Sequence, residues 1–258
     1  ENADFGKDLR CYMELEYGLV ENALDSLREA MNYYNEGDEE DNANQYKFSI
    51  LLSAHCVELL LKEILRRNHP ALLFENIDSV KDLQDDDNQT VGYKNAIQRV
   101  KKLCGVDLKQ YETYIDEIGR VRNQIQHYKC SINGEYHKQL MAKTFSAIEF
   151  IFRDILGLKF EDYENIIEPA DIDFLHEDIA ANKARKKDIG KDFEKSENRF
   201  RIEYVDGKYL EVCCPHCGTE SLALESNGKI KCKFCGEEFD NYSELHKADR
   251  NCITQYGI

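Results

Sequence analysis

The chain has 258 residues, 42% of them apolar, with 50 acidic against 34 basic side chains and a net charge of -16. That length holds one full core plus a smaller unit, since domains run to about 100–200 residues, and the apolar share excludes a disordered chain. The charge excludes a protein that coats nucleic acid indiscriminately, which requires many Lys and Arg at phosphates, and no run approaches the ~20 apolar residues of a membrane-spanning helix.

No membrane partner is therefore expected. Glu1 to Lys7 lacks a basic-then-apolar signal pattern. Of the ten cysteines, four form two C-x2-C pairs and most others are scattered singly among helical segments, a pattern of metal binding in a reducing compartment. A cytoplasmic location is expected.

Periodicity predicts a first helix over Asp8–Tyr34, ended by a loop at Glu36-Gly37-Asp38. A second, Asn44 to Arg67, carries "YKFSILLSAHCVELLLKEILRR", apolar around most of its circumference and hence the most buried; Pro70 ends it. Asp78–Thr90 is polar, a loop or short helix. Val91–Cys104 reads as a third helix closed by Gly105. Leu108–Tyr128 is the clearest, with Leu108, Tyr111, Ile115, Ile118, Val121 and Ile125 three or four apart on one stripe. After a turn at Ser131–Gly134, His137–Leu156 is amphipathic. The expected fold class is mainly α, a bundle of about five helices plus a small C-terminal β unit. Residues 1–160 form the bundle, 161–200 a polar helical linker and 201–258 the small module. Lys183, Arg185, Lys186, Lys187, Lys191 and Lys195 make a basic cluster in the linker, either a solvated face or an RNA-tracking surface.

"CCPHCG" at Cys213–Gly218 and "CKFCG" at Cys232–Gly236 each offer two thiolates on a tight turn ending in Gly. Between them, "ESLALESNGKIKCK" carries a hairpin turn at Ser226-Asn227-Gly228. Cys214, Cys217, Cys232 and Cys235 are thus expected to hold one structural Zn2+ in a closed four-thiolate shell, with no position left for catalysis. This segment, about 205–240, resembles the zinc ribbon family. A weaker set, Cys232, Cys235, His246 and Cys252 around Phe239 and Leu245, would leave the better knuckle unused; Cys213 and Cys252 are spare thiols.

Near the end of the Leu108–Tyr128 helix stands "RVRNQIQHYK", in which Arg122 is followed by Asn123 and then His127. This R-N-x3-H pattern resembles the HEPN family of helical-bundle ribonucleases, whose signature is R-x4-6-H with a polar residue after the Arg. "SAHCVELLLKEIL", around Glu58 and Lys62, is similar to that family's other characteristic segment, so the resemblance covers residues 8 to 157.

The resemblance implies metal-independent RNA cleavage through the ribose 2'-hydroxyl to 2',3'-cyclic phosphate ends, with no catalytic metal. It points to a toxin or anti-phage defence effector, with an antitoxin or defence partner. The residue types suit that chemistry. A histidine exchanges its proton near neutral pH and can act as acid or base, so His127 is the candidate. Arg122 can clamp the phosphate, and Asn123, at i,i+4 from His127, can orient it or bond the phosphate.

Arg122 and His127 lie about 140° apart around a helix. A homodimer with a composite site is therefore expected, as the family's arrangement implies. Arg120, seven residues before His127, also fits the loose signature, but Asn123 favours Arg122. Glu58 is either a buried partner for the motif Arg or an i,i+4 pair with Lys62. His55 and His69 show no partner pattern. Tyr111, Tyr114 and Tyr128 are core or rim residues that could also stack on bases. The alternative to a nuclease is a non-catalytic HEPN-like dimerisation and RNA-binding module in which the ribbon docks a partner.

Overall fold

The computed structural model describes residues 17–39, 42–80, 82–83, 88–128, 133–195, 198–205, 208–215 and 217–248. The first helix, α1, spans Leu19–Glu39; the part expected before residue 17 lies outside the described residues. It runs through Gly37 instead of stopping there. An added Cβ at Gly37 would lie 2.7 Å from the Tyr46 ring, so this glycine lets the next helix approach, and tertiary packing outweighs its roughly 1 kcal/mol helix penalty.

Helix α2, Ala43–Asn68, is capped by the Asn42 side chain, which accepts from the Asn44 N–H. Its apolar residues from Ala54 to Leu65 are buried, and α1 and the three helices that follow pack around it. Thr90 then pairs with Phe74 in an isolated bridge, so the polar stretch from Asp78 returns to the segment that follows α2. Helix α3 is Tyr93–Lys102 and α4 is Tyr111–His127, burying Ile115, Ile118 and Val121. Helix α5, Gly134–Glu149, starts at Asn133, whose side chain accepts from the Tyr136 N–H. It continues as a wider π turn, Phe150–Ile155, and burial of Phe150, Ile151 and Phe152 keeps that turn against the core.

The expected linker segment is helical, and part of it packs on the bundle. Helix α6, Pro169–Lys195, is no solvated bridge in its first half: Leu175 and Ile179 are buried, and Tyr34 of α1 donates to Asp178 at 2.8 Å. Its residues read as polar because only one in three or four faces the core. The bundle thus has a sixth helix, and only the second half of α6 is mainly exposed.

Strands β1, Arg201–Val205, and β2, Lys208–Glu211, form an antiparallel pair. Strands β3, Leu222–Leu224, β4, Ile230–Cys232, and β5, Glu238–Phe239, form a three-stranded antiparallel sheet in that order. The β3–β4 turn closes where the sequence predicts it, with the Gly228 N–H donating to the Glu225 carbonyl at 2.9 Å. Helix α7, Tyr242–Ala248, follows. The fold is mainly α with a small β part near the C-terminus. Among the described residues no helix is long and apolar enough to cross a membrane.

Candidate functional site

Two polar constellations stand out, one on the α2–α4 face and one in the small sheet. On the first, Glu58 projects from α2, and its carboxylate meets Lys62 at 2.8 Å and Arg122 of α4 at 3.5 Å. Both partners anticipated for Glu58 are engaged at once. Lys62 also donates to the Thr90 hydroxyl at 3.1 Å, and Arg122 to the Asn123 side-chain oxygen at 3.3 Å. The Glu58 and Lys62 side chains are only 13% and 11% exposed, whereas Arg122 is 27% exposed, so the guanidinium is the member of this group that opens most to solvent.

Ser49 and Ser53 of α2 meet His137 and Met141 of α5 in the same order, whereas Glu117 and Arg120 of α4 meet Lys143 and Tyr136 of α5 in the reverse order. Helices α2 and α4 therefore run in opposite directions. Residues before Glu58 face the C-terminal turns of α4.

His127 is exposed on the last turn of α4. Among the described residues it makes no side-chain hydrogen bond or ion pair, and it does not meet Arg122. Asn123 is exposed. Arg120 points elsewhere, towards Gln124 and the Tyr136 hydroxyl, each at 3.4 Å, and lines a groove of about 470 Å³ between α4 and the first cysteine knuckle.

A residue that sequence reasoning passed over joins this face. His55 precedes Glu58 by one helical turn, and its Nδ1 lies 3.0 Å from the Ser26 hydroxyl of α1. Its pKa is lowered, first by burial; Glu58 opposes this, while Lys62 and Arg122 add to it. The available signal was the i, i+3, i+7 spacing of His55, Glu58 and Lys62, which shares one helical face; Ser26 lies far off in sequence and gave none. His69, by contrast, accepts from the Ala71 N–H as a helix-end cap.

The second constellation consists of Cys214, Cys217, Cys232 and Cys235, all buried, with their sulfurs all within 4.8 Å of one another. The Cys214–Cys235 and Cys217–Cys232 sulfurs are 3.7 and 3.6 Å apart. A tetrahedral ion about 2.3 Å from each thiolate separates them by about 3.75 Å, so the set fits a metal ion. Each knuckle is closed by a glycine N–H: Gly218 bonds the Cys214 carbonyl and Gly236 the Cys232 carbonyl. Both glycines have positive φ, 68° and 76°, which side chains rarely adopt. His246 is exposed on α7 and stands outside the cluster, as does Cys213; Cys252 lies outside the described residues. Phe239 and Leu245, the small core of the weaker ligand set, are both buried.

The sheet is fastened to the bundle through its knuckles. From α5, Lys143 donates to the Cys217 carbonyl at 2.5 Å and to Glu117 of α4 at 2.9 Å, and Gln139 donates to the Phe234 carbonyl. The lysines of the sheet are paired, Lys229 with Asp240, Lys231 with Glu238 and Lys233 with Glu225. In the basic cluster of α6, Arg185 pairs with Glu135 and Lys191 with Asp188. Lys183, Lys186 and Lys187 are exposed and form no ion pair among the described residues.

The chain matches no protein-family profile, no curated protein and no solved structure.

Proposed function

We propose that this protein is an endoribonuclease of the HEPN type, cutting RNA through the ribose 2'-hydroxyl without a catalytic metal. The supporting observation is the Arg122 guanidinium, held from one side by Glu58 at 3.5 Å and open on the other beside Asn123. An arginine steadied in this way presents its remaining donors to a phosphate and stabilises charge developing on it. His127, open at the end of the same helix, supplies proton transfer. Attack of the 2'-oxygen on phosphorus breaks the bond to the 5'-oxygen, the 2'-hydroxyl proton leaves to a base, and the 5'-oxygen takes a proton from an acid. The products are a 2',3'-cyclic phosphate and a 5'-hydroxyl.

One copy does not bring Arg122 and His127 together, so the site needs a two-fold homodimer in which the motifs of two copies line one cleft. When bound, Zn2+ at Cys214, Cys217, Cys232 and Cys235 supplies a structural cross-link, because four thiolates close its shell. Reduced thiolates and an RNA substrate both belong to the cytoplasm. An RNA-cutting activity there needs restraint, which fits a toxin or anti-phage effector held by an antitoxin or defence partner; copurification tests this.

The test is cleavage of mixed RNA by purified protein with magnesium withheld, followed by end-group analysis. Arg122→Ala and His127→Ala should each lower the rate about 100-fold or more. Cleavage that needs magnesium, or that survives both substitutions, removes the mechanism. A second reading, RNA binding without cleavage, draws on the unpaired lysines of α6 beside the knuckle groove; tight RNA binding that leaves the RNA intact would support it.

A further inference from the structure

We infer that His55 is the proton acceptor of this site, taking the 2'-hydroxyl proton at Nε2 while Arg122 holds the phosphate. The role rests on the nuclease reading and divides the acid and base work between two histidines.

The Ser26 hydroxyl lies 2.9 Å from the Asn22 carbonyl, which can only accept. With the hydroxyl donating there, the 3.0 Å contact between Ser26 and His55 Nδ1 is donated by the ring. In that arrangement Nδ1 carries the proton and Nε2 keeps its lone pair. His55 is exposed, and Nε2 has no hydrogen-bond partner among the described residues.

The charged groups acting on the ring are Glu58 and Lys62 of α2 and Arg122 of α4; from α1 it meets the Ser26 hydroxyl. Because α2 and α4 are antiparallel, His55 lies on the same side of the Glu58–Arg122 pair as His127, towards the end of α4. Partial burial and the two cations lower its pKa and favour the neutral imidazole before reaction, and Glu58 favours the imidazolium it becomes. The bonds then balance. The 2'-hydroxyl proton moves to His55 Nε2, the 2'-oxygen attacks phosphorus, and the leaving 5'-oxygen takes its proton from His127 of the second copy. Solvent returns both histidines to their starting states.

His55→Asn separates this role from a mere tie between helices, because the asparagine amide stands where Nδ1–H stood and keeps the bond to Ser26. Thermal stability and affinity for an RNA with 2'-deoxy at the cut position should be unchanged, while cleavage falls about 100-fold. The acidic limb of kcat/KM against pH should disappear. Uridine 3'-(4-nitrophenyl phosphate) has a leaving group that needs no proton, so it should restore His127→Ala but not His55→Asn. Nitrogen NMR of the labelled full chain should show His55 protonated at Nδ1. An inert wild-type protein overturns the nuclease reading and this role with it. An active one overturns only the role of His55 if His55→Asn cleaves at the wild-type rate, or if Nδ1 proves unprotonated.

Discussion

Replacing Lys143 by Met tests how the cysteine sheet is held to the bundle. The Lys143 side chain is 8% exposed and its partner Glu117 12%, so the pair is nearly dry. Met keeps most of the stem and volume, which leaves little cavity cost. The substitution strands the Glu117 carboxylate and the Cys217 carbonyl. Breaking one side of a buried pair costs about 3–5 kcal/mol. Tyr136 still donates to Glu117 at 3.0 Å, and an orphaned carboxyl can take up a proton, so the lower end applies, about 3 kcal/mol. For a chain of this size that is a fall in Tm of about 6–12 °C. Denaturant unfolding of the metal-loaded protein measures it. Lys143→Met/Glu117→Met removes the stranded charge and should recover roughly half of the loss, the rest being the lost lysine bond to the Cys217 carbonyl. A single-variant loss below about 1 kcal/mol, or additive behaviour in the cycle, refutes the seam as a stabilising contact.

The four-cysteine cluster is expected to take up one Zn2+ per chain, and Cys232→Ser should leave that ion readily chelated and expose the sheet to protease, while the helical circular dichroism of the bundle persists; metal analysis and limited proteolysis report this. The lowered pKa of His55 gives a signed pH dependence. The unfolded chain binds this proton more readily, so the contribution is complete above about pH 7. It is lost as pH falls through 6.5 towards the folded value, and His55→Asn should flatten that part of a stability profile measured by denaturant midpoints. Gly119→Ala should destabilise by about 1–3 kcal/mol through overpacking, because the new Cβ would lie 2.5 Å from a Tyr93 ring atom whose hydroxyl is pinned to Ile115; Tyr93→Leu in the same background should relieve it.

What the residues by themselves determined was local and periodic. The cysteine knuckles were legible because two sulfurs three residues apart on a glycine-closed turn are a complete chemical instruction, and the hairpin at Ser226–Gly228 brings the two halves together. Helices α4 and α5 were legible from one-faced apolar spacing, and α2 from apolar residues around most of its circumference. Tertiary structure decided what depends on distant partners. Helix α1 passes Gly37 because Tyr46 packs there, α6 joins the bundle because Tyr34 and the core receive its sparse apolar face, and Glu58 serves Lys62 and Arg122 together because α2 and α4 cross antiparallel. His55 carried no meaning until Ser26, 29 residues away, was placed at its Nδ1. Hydrogen-bond direction is set by neighbours in space, and a linear pattern records only neighbours along the chain.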